Sequence, residues 1–200
     1  VNRFSASASE IFSGAIQDYG RGLIIGEQTY GKGTVQNLID LNRLTSKSNK
    51  KFGQVKITIA KYYRVNGGST QNLGVIPDIS FPTMIDPKDF GESSEPSALP
   101  WDEIKSADFK KFSNLSEYLT KLKENHLNRI STSKDFKYLL NDIELYKKNK
   151  EKTFLSLNEA IRKKEKEQEE LRKFEREGKI QEDNGAELLD DETPQIKTKK

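Results

Sequence analysis

The alternation of hydrophobic and polar positions changes character near Pro96–Pro100. Before that point the chain carries glycines, β-branched residues and short apolar runs. After it come long charged segments with few glycines. Ser7 to Tyr19 predicts a helix, because Ile11, Ala15 and Ile16 recur at helical spacing and Gly20 is a natural stop. Gly22 to Gly26 reads as a short buried strand, and Thr34 to Leu41 and Gln54 to Ala60 as two more. In the last of these, Val55, Ile57 and Ile59 alternate with polar residues, which predicts one buried face. Leu44 to Phe52 reads as a polar loop. Tyr62 to Val65 continues the sheet into a turn at Asn66-Gly67-Gly68, and Gly74 to Asp78 makes a closing turn.

Beyond residue 100 the period is helical. Leu115, Tyr118, Leu119, Leu122, His126, Leu127 and Ile130 share one face, and Phe136, Leu139, Leu140, Ile143 and Tyr146 share another. His126 sits at the edge of its face without a neighbouring metal ligand and reads as a packing residue. Trp101 reads as an anchor between the two parts. Ser156 and Glu159 suggest a capping box for a third helix, ending at Gly178 and held largely by ion pairs between its Lys, Glu and Arg residues. From Glu182 the acidic and polar tail reads as disordered. The division expected is therefore 1–95, 96–181 and a tail at 182–200.

Composition supports such a split. Of 200 residues, 33% are hydrophobic and 32% charged, too polar a mixture to be evenly buried. No apolar run approaches the ~20 residues that span a bilayer, so no membrane-spanning segment is expected. Cysteine is absent, which removes disulfides, thiolate metal sites and cysteine nucleophiles together. With one histidine, a Ser-His-Asp triad and multi-histidine metal sites are poorly supplied. A net charge of +3 is too small to argue for nucleic acid. No cofactor or metal is called for. Val1 is not Met and no leader pattern follows it, so the chain reads as a piece of a longer protein.

Two motifs carry candidate chemistry. In Ser5-Ala6-Ser7-Ala8-Ser9-Glu10 a serine stands where a helix begins, among unpaired N–H groups that favour developing negative charge. The bland alternative is an ordinary helix cap. The second motif, Gly26 to Thr34, nearly satisfies the phosphate-binding G-x-x-x-x-G-K-[ST] pattern. It fails because Gly33 stands where the magnesium-binding hydroxyl belongs, and because Thr34 onward alternates like a strand. A reading that joins both motifs fits better. Lys32 between two glycines lies on a backbone that can approach another segment closely. Enclosure by neighbours such as Ile24, Ile25 and Tyr30 would disfavour its charged form. A neutral Lys32 can take the proton of Ser7 and replace the missing histidine.

The segments Asn2 to Phe12, Gln17 to Gly20, Gly31 to Gln36, Tyr63 to Gln71 and Gly74 to Asp78 together resemble the C-terminal processing peptidases, most closely the bacterial tail-specific proteases. Leu99-Pro-Trp-Asp102 and the helical remainder resemble the C-terminal domain of the larger periplasmic members. The resemblance implies an α/β fold: part of a crotonase-like core, a mixed sheet with helices, followed by an all-α domain. It implies a serine endopeptidase with a Ser/Lys dyad, Ser7 the nucleophile and Lys32 the base, and Gln36 orienting Lys32. Positions four apart along a strand share a face, which suits Gln36 to that role. Ala8 supplies an oxyanion N–H, and Asp18 matches an acidic position with a structural or indirect role. At a helix C-terminus Asp18 needs a cation close by, such as Arg21. The implied setting is the periplasm. The implied partners are protein or peptide substrates with accessible apolar C-terminal tails, together with an adaptor lipoprotein. The second oxyanion donor and a PDZ domain lie upstream of Val1 in the family. The rival from another class is a catalytically silent module that binds peptides by strand addition.

Overall fold

The computed structural model describes residues 1–43 and 51–183. Most of the loop expected at Leu44–Phe52 lies outside the described residues. Helix α1 (Ala8–Asp18) ends in a Schellman turn. Gly20 takes φ 63°, its N–H donates to Gln17 O at 3.1 Å, and Arg21 N–H donates to Ile16 O at 2.9 Å. Two of the helix's orphan carbonyls are thereby satisfied. A side chain at position 20 would collide with the carbonyl of Ser113, 2.3 Å from an ideal Cβ.

Strand β1 (Ile25–Gly26) pairs in parallel with β4 (Ile79–Ser80), Ile25 opposite Ile79. Between them in sequence, β2 (Thr34–Asp40) and β3 (Gln54–Lys61) form an antiparallel pair with Asn37 opposite Ile57 and an irregularity at Val35/Gln36. The described strands thus make two small sheets. Helices α2 (Ser116–Thr132), α3 (Lys134–Lys150) and α4 (Glu159–Asp183) follow, giving a mixed α/β chain. The described residues up to Asn149 form one compact unit and those from Lys150 onward a second. No helix among the described residues is long and apolar enough to cross a membrane.

Polar groups make up much of the interior. Ile24, Val75, Ile79 and Ile143 are buried, yet so are Arg3, Glu10, Ser13, Asp18, Thr29 and Gln71. The buried face of α1 is polar and carries Glu10, Ser13, Gly14 and Asp18, while Ile11 is 51% exposed and Ala15 and Ile16 are half-buried. Two expectations are corrected here. The face of β3 expected to be buried is open: Ile59 is 58% exposed and nothing described covers it. Finally, α4 runs through Gly178 to Asp183 and is capped by Asn158, whose Oδ1 accepts the N–H of Ala160 at 2.9 Å. A glycine in a helix interior costs only about 1 kcal/mol, too little to end a helix by itself.

Burial of polar groups is tolerable here because they are paired. Asp18, at the C-terminal end of α1, receives Arg64 Nε at 2.8 Å, Arg64 Nη2 at 2.6 Å and Asn66 Nδ2 at 3.0 Å. Its cation is therefore Arg64; Arg21, the candidate by sequence, lies over the Phe112 ring at 4.8 Å. His126 packs as its position predicts: its ring stacks on Phe81 at 4.8 Å, meets Phe136 edge-on at 5.7 Å, and places Nε2 3.2 Å from Ser80 O. Trp101 donates its indole N–H to Ser69 O at 2.9 Å, pinning residues 100–102 beside the 62–69 turn. Replacing Asp18 with Ala strands the Arg64 guanidinium and is expected to lower stability by about 3 kcal/mol, read by urea unfolding. Asp18→Asn, which keeps one acceptor, is expected to lose less.

Candidate active site

Small residues let the chain turn sharply at Ala6–Ser9, where Ser9 N–H donates to Ala6 O at 3.2 Å. Ser7 takes φ 54°, ψ −111°, the conformation of the first central position of a type II′ turn. That position belongs ordinarily to glycine, and a side chain there costs about 1–3 kcal/mol. Ser7 and Asn72 are the non-glycine residues with positive φ among those described. The turn presents Ser7 at the mouth of α1, with Ala8 as its first helical residue and hence with an N–H that has no intrahelical acceptor. The neighbouring hydroxyls are engaged locally: Ser5 with Asn2 Oδ1 at 3.2 Å, Ser9 with Ala6 O at 2.8 Å.

What holds this turn is Glu10, one helical turn on and fully buried. One carboxylate oxygen, Oε2, accepts Ser7 N–H at 2.8 Å and Lys32 N–H at 2.9 Å. The other, Oε1, accepts Gly31 N–H at 2.7 Å and the Thr29 hydroxyl. Thr29 Oγ1 in turn accepts Val75 N–H at 2.7 Å. The Ser7 turn and the Lys32 loop are therefore clasped by one anion. A second link runs through the Tyr62 phenol, which donates to Lys32 O and lies 3.3 Å from Ser7 O. Burial pushes the Tyr62 pKa up, which keeps the phenol a donor. A third is backbone to backbone, Tyr30 N–H to Ser5 O at 2.9 Å.

The glycines flanking Lys32 permit the close approach their sequence suggests. An ideal Cβ at Gly31 would lie 2.7 Å from Asn72 O, and one at Gly33 2.6 Å from Gln71 N. Lys32 itself is half-buried. Of the neighbours expected to enclose it, Ile24 is buried, Tyr30 packs its ring edge-on to Phe90 at 5.6 Å, and Ile25 is 45% exposed. The Lys32 amine donates to Gln36 Oε1 at 3.2 Å, beside the β2 irregularity at Val35/Gln36. The contact does not come from a shared strand face, as the four-residue spacing suggests, because Lys32 precedes β2 and the irregularity interrupts the alternation before Gln36. The structure thus brings Ser7, Ala8, Lys32 and Gln36 to one locality, with Asp18 at the far end of α1 in its own ion pair. Ser7 Oγ and Lys32 Nζ share no hydrogen bond among the described residues; apo sites commonly tighten such contacts only with substrate bound.

Sequence reasoning passed over Glu10, Thr29 and Tyr62. Glu10 had a readable signal: Ser7-x-x-Glu10 is the capping-box spacing. Thr29 and Tyr62 act across distant chain segments and left none. Arg3, also buried, gives its guanidinium to carbonyls of Phe90 at 2.6 Å, Pro87 at 3.0 Å and Thr29. Burial lowers the Arg3 pKa, opposed by attraction from Glu10, Asp86 and Glu27.

The chain matches known proteins along most of its length. Residues 1–81 match the model for peptidase family S41, and residues 85–200 match the model for the C-terminal domain of tail specific protease. The tail-specific protease of Haemophilus influenzae is 44% identical over 189 residues, which cover 90% of this chain and 27% of that protein. A carboxy-terminal-processing protease of Bartonella bacilliformis is 46% identical over 79 residues, 40% of this chain and 16% of that one. A solved photosystem II D1 C-terminal processing protease is 40% identical, covering 44% of this chain and 20% of that chain with a TM-score of 0.34. The chain spans about a quarter or less of the length of these relatives.

Glu10→Gln offers one carbonyl oxygen to four donors and turns an NH2 group toward some of them. It is expected to cost about 3 kcal/mol of stability, measured by urea or thermal unfolding.

Proposed function

This chain belongs to the tail-specific protease family of peptidases, and on that premise we propose that it carries the Ser/Lys dyad of a serine endopeptidase. The observation that carries the reading is the strained Ser7 turn clasped, through Glu10, to the loop that bears Lys32. Strain at a polar residue persists only where surrounding contacts over-determine it, and it gathers at working sites.

In this mechanism Ser7 Oγ attacks the scissile carbonyl while Lys32, as the unprotonated amine, takes the hydroxyl proton. The oxyanion that forms points at the Ala8 N–H, free at the helix start, where the helix dipole adds to the attraction. Collapse of the intermediate breaks the C–N bond. Lys32 then gives its proton to the departing amine, and water, activated by the same lysine, releases the acyl group from Ser7. Gln36, whose Oε1 accepts from the Lys32 amine at 3.2 Å, orients that amine. Asp18, bound to Arg64, acts indirectly by fixing the far end of α1.

The wider reading rests on the same family. Residues 1–95 contribute to a crotonase-like core and 96–181 form a helical domain. The substrates are exported proteins with accessible apolar C-terminal tails, cleaved in the periplasm, and an adaptor lipoprotein delivers some of them. The open β2–β3 pair, with Leu38 59% and Ile59 58% exposed, favours a second reading in which an incoming peptide adds as a strand.

In the full-length protein, Ser7→Ala and Lys32→Ala are each expected to abolish cleavage of an unfolded, tail-bearing substrate. Lys32→Arg is expected not to rescue it, because a guanidinium stays charged. Normal cleavage by either alanine variant overturns the dyad; loss of cleavage with substrate binding intact sets catalysis apart from strand addition. Ser7→Gly is expected to be inactive and at least as stable as the parent in thermal unfolding. The relieved backbone strain of about 1–3 kcal/mol exceeds the entropic cost of glycine, about 0.5–1 kcal/mol.

A further inference from the structure

The loop that bears Lys32 is gripped on two sides. Asn72 N–H donates to Gly31 O at 2.8 Å on one flank, and Glu92 N–H to Tyr30 O at 3.0 Å on the other. Gln71 joins the two flanks. Its side chain is fully buried; Oε1 accepts the Gly33 N–H at 2.9 Å and Nε2 donates to Glu92 Oε1 at 3.0 Å. The amide is thus a strut from the residue after Lys32 to the Glu92 carboxylate, 21 positions beyond Gln71 itself. Arg3 reinforces the same join by holding the carbonyls of Pro87 and Phe90 together with that of Thr29.

Lys32 and Gln71 lie in the part matched by the peptidase model, while Pro87, Phe90 and Glu92 lie in the part matched by the C-terminal domain of tail specific protease. We propose that Gln71 and Glu92 are positioning residues for Lys32, so that the opening segment of the second part, residues 87–92, sets where the base loop stands. The inference rests on the Ser7–Lys32 reading above. A flexible amine on a loop free to shift by 1 Å loses the geometry that proton transfer requires, and misplacement of that size costs about 100-fold in rate.

The test uses the full-length protein, with steady-state cleavage of an unfolded tail-bearing peptide and residue-resolved amide exchange. Gln71→Leu and Glu92→Ala are each expected to lower kcat by about 10- to 100-fold while KM moves less than about threefold. The Gly33 amide is expected to exchange faster in Gln71→Leu. Glu92→Gln, whose side-chain oxygen still accepts from Gln71, is expected to restore the rate to within about threefold of the parent. A kcat within twofold of the parent in Glu92→Ala overturns the proposal, and so does a Glu92→Gln variant as impaired as Glu92→Ala. A loss carried by KM rather than kcat also overturns it. If Gln71→Leu fails to fold, the two Glu92 variants decide alone. Activity surviving in Lys32→Ala sinks the dyad instead, and is read from a separate variant.

Discussion

The Glu10 carboxylate is the contact on which the rest of the site depends. It gathers the N–H groups of Ser7, Gly31 and Lys32 and the hydroxyl of Thr29; the Gly31 and Thr29 donors are fully enclosed and those of Ser7 and Lys32 partly so. A buried anion on its own is expensive, and a buried N–H without a partner costs about 1–3 kcal/mol. Combined, the two liabilities cancel in one geometry and in few others. The same contact holds Ser7 in a conformation that serine avoids. A strained turn, a buried acid and a glycine-flanked lysine look like three separate oddities in the sequence. Physically they are one arrangement.

That arrangement explains why the interior of the first unit is so polar. Arg3, Glu10, Asp18 and Gln71 are each buried, and each is tied to a chain segment far away in sequence. Hydrophobic burial is non-directional and tolerates sliding; hydrogen bonds to charged groups do not. A site that must hold two side chains in register gains from the second kind of contact. Apolar surface, by contrast, is left open on α1 and on the β2–β3 pair, where Phe12 is 69% and Ile59 58% exposed.

The legible and illegible parts of the sequence divide along the same line. Periodicity located α1, β2, β3, α2 and α3 to within a few residues, since it records local backbone preference. It does not say which face of α1 turns inward, and here the polar side, with Glu10, Ser13 and Asp18, is the inner one. The motifs around Ser7 and Lys32 were readable because their chemistry is concentrated in short runs. Gln71 lies within the Tyr63 to Gln71 motif, yet nothing local says that its amide spans from Gly33 to Glu92. The Arg64 partner of Asp18 was missed for the same reason, with Arg21 nearer in sequence. Gly178 misled in the opposite direction: glycine ends a helix where the backbone turns left-handed, and α4 does not turn there.

Residue-resolved amide hydrogen exchange on the full-length protein tests the clasp most directly. The N–H groups of Ser7, Gly31 and Lys32 share one buried acceptor, so displacing that carboxylate exposes all three. The predicted result is strong protection of similar size at all three, each rate taken relative to its own unfolded-chain value. Slow exchange at Ser7 with Gly31 and Lys32 exchanging at the rate of exposed loops would contradict it, and would show that the Glu10 carboxylate does not join the serine turn to the lysine loop.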